Sequence, residues 1–78
     1  MDDKEICMII GCASLLRDAG MSKEAVVPYY IKLLEHHKAT TDEVNKNALR
    51  LALSGHFPKF NECKDHLIEV FPELEGQI

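Results

Sequence analysis

From Ile6 to Leu16 the chain reads Ile-Cys-Met-Ile-Ile-Gly-Cys-Ala-Ser-Leu-Leu, a run of eleven residues without a charge. Any fold of this chain has to shelter it. Asp2, Asp3, Lys4 and Glu5 precede the run, and Arg17 and Asp18 follow it. Acidic side chains suit the positive end of a helix dipole, and glycine commonly sits just past a helix end. The pattern therefore predicts a helix over residues 3–19, closed by Gly20. With about 100° between neighbours, Ile6, Ile9, Ile10, Ala13 and Leu16 share one face. Met8, Cys12, Leu15 and Ala19 make a second apolar face beside it. The remaining stripe is narrow: Asp3, Lys4, Cys7, Gly11, Ser14 and Asp18. A helix apolar over most of its circumference belongs at the centre of a core, or is finished by a second chain. The run is too short to span a membrane, which takes about 20 residues.

Length sharpens that choice. The sequence has 78 residues, one domain, and a chain of this size buries only about 60% of its unfolded surface. Its own core is small, so help from oligomerisation is expected. Three helices do not readily surround a fourth. The first face is expected to meet the rest of the chain and the second to lack cover. An isologous homodimer contact through Met8, Cys12, Leu15 and Ala19 follows as the expectation. On that reading Leu15→Glu gives a folded monomer.

Three further helices are predicted. Ser22 can cap a helix over 23–38, whose apolar side carries Val26, Val27, Tyr30, Ile31, Leu33, Leu34 and His37. Pro28 falls on its polar side, where water can satisfy the freed carbonyl. Thr40-Thr41-Asp42-Glu43 has capping-box spacing, with Thr40 at the N-cap, and opens a helix over 41–54. Loss of the Thr40 hydroxyl is expected to cost about 1 kcal/mol. Gly55 ends that helix, and Pro58 suits the first position of a last helix over 58–71. Pro72 stops it, leaving 73–78 as a tail that frays unless Leu74 docks. No segment alternates polar and apolar residues, so no strand is expected. The fold class is all-α: a compact bundle of four short, mostly antiparallel helices around a central first helix.

Composition limits the function. With 46% hydrophobic and 28% charged residues the chain is globular. A net charge of −4 and a pI near 5.4 argue against sequence-independent binding to nucleic acid or anionic membrane. Cys7, Cys12 and Cys63 are odd in number, and two lie inside the apolar run, which suits buried thiols in a reducing compartment. The beginning Met-Asp-Asp-Lys-Glu is acidic where a signal peptide is basic. A cytoplasmic location is expected.

No catalytic constellation emerges. A Cys–His nucleophile needs an exposed thiolate beside a histidine, and Cys12 and Cys63 fall on apolar faces. His36 and His37 are adjacent, so their side chains diverge along a helix. Cys63 and His66, three apart, would be the first residues of a metal site, but structural zinc takes four ligands and no paired motif completes the set. Neither an enzyme nor a metal or other cofactor is expected. Leu16 to Val26 has the outline of a helix-turn-helix around Gly20, yet its second helix contains Pro28 and offers Lys23 beside Glu24. DNA binding is thus the alternative. The favoured reading is a small regulatory or protein–protein interaction module acting on a protein partner.

Overall fold

Asp2 begins the structure with a reciprocal cap. Its carboxylate accepts from the Glu5 amide at 2.9 Å, and the Glu5 carboxylate accepts from the Asp2 amide at 3.2 Å. The computed structural model describes residues 1–78 and contains helices α1 (Asp3–Asp18), α2 (Lys23–His36), α3 (Thr41–Leu53) and α4 (Phe60–Val70). A short 3₁₀ turn, Pro72–Leu74, follows, and there is no strand. The fold is all-α, as the patterning predicts.

The helix ends show why the boundaries fall where they do. After α1, Gly20 turns left-handed at φ 93°, and the Met21 amide reaches back to the Leu16 carbonyl. Gly55 closes α3 in the same way at φ 78°. Lys38 takes the equivalent position after α2 at φ 57°, which stops that helix two residues short of the predicted end. Ser22 caps α2 through the Ala25 amide. Thr40 does occupy the N-cap position of α3, but its hydroxyl caps nothing. The predicted capping box is absent because Glu43 faces forward to Asn47 and not back to the Thr40 amide. Helix α4 starts at Phe60, two residues after Pro58, because Pro58 is drawn against α1.

Helix α1 is the hub. Each of the other three helices packs chiefly on it and only marginally on the others. Helix α2 runs antiparallel to α1, and the start of α4 crosses α1, with residues near both Met8 and Asp18. Lys23 lies beside Arg17; Phe60 lies near Asp18; His37, just past α2, reaches back to Glu5. Ile6, Ile9, Cys12, Leu15 and Leu16 are buried there, with Leu33, Leu34, Val44, Leu51, Cys63 and Leu67 arriving from the other helices.

The second apolar face of α1 is not an open one. Cys12 is fully buried and Leu15 is 4% exposed within the single chain, Met8 is half-buried, and only Ala19 is exposed. Helix α4 covers this face because Gly11 lets it come close. A methyl group on Gly11 would sit 2.9 Å from two carbons of Pro58 and inside the Cys63 sulfur. The Cys12 thiol donates to the Cys63 carbonyl across the same contact at 3.3 Å. Leu15→Glu would therefore put a charge in the core and unfold the chain, and Cys12 and Leu15 need no second chain to cover them. The end of the chain is also ordered. Leu74 is 1% exposed, and Tyr29 meets Phe71 edge to face at 4.8 Å.

Gly11→Ala gives a clear test of this packing. In an ordinary helix interior the change stabilises by about 1 kcal/mol. Here overpacking should reverse the sign and cost about 1–3 kcal/mol. Denaturant titration reads the difference directly. A stabilised variant would mean that α4 does not approach α1 so closely.

The caps give a second test. Asp2→Ala should cost about 1 kcal/mol, and Thr40→Ala clearly less. A larger loss at Thr40 would show that its hydroxyl caps α3 in solution.

Candidate functional site: an open groove and a histidine cluster

Between α2 and α3 the surface of α1 stays uncovered. The result is an open groove of about 730 Å³, floored by Ile10, Ala13 and Ala48 and walled by Val26, Val27 and Tyr30. Its lining is mainly apolar, and Val27 remains 43% exposed. The Tyr30 hydroxyl donates to the Asn45 side-chain oxygen at 3.2 Å, a polar tie between the two walls. The charged residues at its rim are Arg17 and Lys23, both cations, in a chain of net charge −4. A volume of this order suits ligand side chains, and the open shape suits a polypeptide segment over an enclosed small molecule.

Ile10 and Ala13, assigned from sequence to the same covered face as Ile6, Ile9 and Leu16, are only half-buried and line this groove. The signal was present. Arg17 lies four residues after Ala13 and seven after Ile10, on the same side of the helix. A charge in that row marks a face that reaches water.

The surroundings of the three thiols favour the neutral form. Burial, then the neighbouring Cys63, pushes the Cys12 thiol up to about 12. Burial also raises Cys63, with Glu62 adding to it, and raises Cys7, with Asp3 adding to it. In each case the net push is toward the neutral thiol. All three cysteines are free.

Cys63 and His66 do not act together. Cys63 turns into the α1 contact, whereas His66 turns toward α2. There its Nε2 lies 3.1 Å from Nε2 of His37. His37 also points Nδ1 toward a Glu5 carboxylate oxygen at 3.8 Å, and the His36 ring stands edge-on to His37 with centroids 5.0 Å apart. Sequence spacing missed this cluster because His37 and His66 are 29 residues apart.

Gly20 does join α1 to α2 by a tight turn, but the outward side of α2 carries Glu24, Ala25, Pro28, Lys32 and Glu35. That surface has no excess of cations to meet phosphates. No helix is long and apolar enough to cross a membrane. Comparison with protein-family models, with curated proteins and with solved structures finds no match.

Burial, then the charge of His37, holds His66 below the ordinary 6.5, with Glu69 opposing and His36 adding to the shift. As pH falls through 6.5 the unfolded chain takes up this proton first. The His66 contribution is therefore intact above 6.5 and is lost as pH falls toward the lower folded value. Denaturant midpoints measured with chelator present should drop across that window, less steeply for His66→Gln. Equal slopes for the two proteins would show that His66 is not the group responsible.

Proposed function

We propose that this protein is a small interaction module that holds an amphipathic helix of a partner protein in the groove between α2 and α3. The observation that carries the reading is the groove itself: an apolar trough on an acidic protein whose rim charges are both positive. The matching partner helix has apolar anchors on one side and acidic residues flanking them. Helix-in-groove docking needs no catalytic group, which agrees with three thiols pushed away from the thiolate form. A regulatory role would follow from occupancy of the groove. Free thiols suit a reducing compartment, the cytoplasm in this reading.

A designed peptide of about four helical turns tests it. One version carries leucines on one face and glutamates at the flanks; the other replaces glutamate with lysine. The acidic version should perturb the amide signals of Ile10, Ala13 and Ala48 and bind more tightly. Ala48→Glu should weaken it at least about tenfold, or 1.4 kcal/mol. The double change Arg17→Glu with Lys23→Glu should invert the preference between the two peptides. Equal binding of both versions, or signals that move elsewhere, would sink the proposal. Wild-type dimers in sedimentation that Val27→Glu dissociates would identify the occupant as a second copy of this chain. Strong, salt-dependent retardation of random duplex would favour the DNA alternative.

A further inference from the structure

Two imidazoles meet where the end of α2 and α4 converge beside the start of α1. The Nε2 atoms of His37 and His66 stand 3.1 Å apart. Two imidazole nitrogens bound to one ion at about 2.05 Å are separated by about 2.9 Å at a right angle and about 3.3 Å at the tetrahedral angle. The observed separation falls between them. Behind His37, a Glu5 carboxylate oxygen lies 3.8 Å from Nδ1, too far for a hydrogen bond but close enough for its charge to favour a cation bound at that ring. His37 sits at the C-cap of α2 and His66 inside α4, so both ligands are carried by fixed backbone. The site opens to water on the side of His36, which is exposed.

We propose that His37 and His66 form an open binding site for a divalent transition-metal ion, with the Glu5 carboxylate adding favourable charge beside His37. No group of three ligand side chains is gathered here to enclose an ion, so water fills the remaining positions. Nitrogen donors without a carboxylate cage select zinc, nickel or cobalt over magnesium and calcium. In the metal-free protein one ring donates its Nε2 proton to the other. On binding, that proton moves to Nδ1 of the same neutral ring, both Nε2 lone pairs reach the metal, and no net proton is released. The site lies apart from the groove and does not depend on its role. It revises the expectation from sequence that no metal binds.

The test uses metal-free full-length protein with Zn²⁺, Ni²⁺ and Co²⁺, about one pH unit above the free-histidine value. One equivalent should bind with a Kd below about 0.1 mM, and Zn²⁺ should shift the ring signals of His37 and His66. The Co²⁺ complex should lack a sulfur charge-transfer band. His66→Gln and His37→Gln should each weaken binding at least about tenfold, Glu5→Gln about tenfold, and His56→Gln not at all. If His37→Gln fails to fold, half-exposed His66 carries the test alone. Binding that survives His66→Gln, a sulfur band with Co²⁺, or no binding at millimolar metal would each overturn the proposal.

Discussion

The contact between Gly11 and the Cys63–Pro58 region fixes the arrangement of this chain. A Cβ at residue 11 has no room, so α4 sits on the side of α1 that carries Cys12 and Leu15. That closeness costs glycine's poor helix propensity, about 1 kcal/mol. It is offset because it buries Cys12, Leu15, Cys63 and Leu67 together, each large side chain contributing roughly 1.5–3 kcal/mol. The one polar atom pair buried in the contact is satisfied, the Cys12 thiol donating to the Cys63 carbonyl. No buried side-chain polar atom elsewhere lacks a partner.

Much of the architecture was legible in the sequence. The uncharged run announced a central helix, and Gly20, Ser22, Gly55 and Pro72 marked boundaries that hold to within one or two residues. These signals are local and act through backbone conformation. What the sequence did not reveal depends on contacts between distant segments. Gly11 looked like a member of a solvated stripe, yet it is buried, because only the path of α4 shows that the missing side chain is the point. Thr40 had the right spacing for a capping box, and Asp2, which had the same spacing to Glu5, forms one instead. Side-chain rotamers decide between such matches, and spacing does not encode them. His66 was paired on paper with Cys63, its neighbour on the helix, while its partner in space comes from the end of α2.

The place of the groove follows from the number of helices. A cylinder packed among equal cylinders needs about six neighbours for full cover, at interaxial distances of about 8–10 Å. Helix α1 has three, which leaves three gaps. The gap between α2 and α4 is closed by side chains, Tyr29 on Phe71 and His37 on His66, and by the docked Leu74. The gap between α3 and α4 carries the link from Ser54 to Lys59, where Pro58 lies against α1. It also holds the polar start of α1, where Asp3 pairs with Arg50. Between α2 and α3 the link, His37 to Thr40, lies at the far end of α2, and a lone Tyr30–Asn45 hydrogen bond crosses the opening. Ile10 and Ala13 are therefore covered only in part. In the proposed reading a partner helix takes the fourth place in that gap, and Arg17 and Lys23 at its edge favour one with acidic flanks.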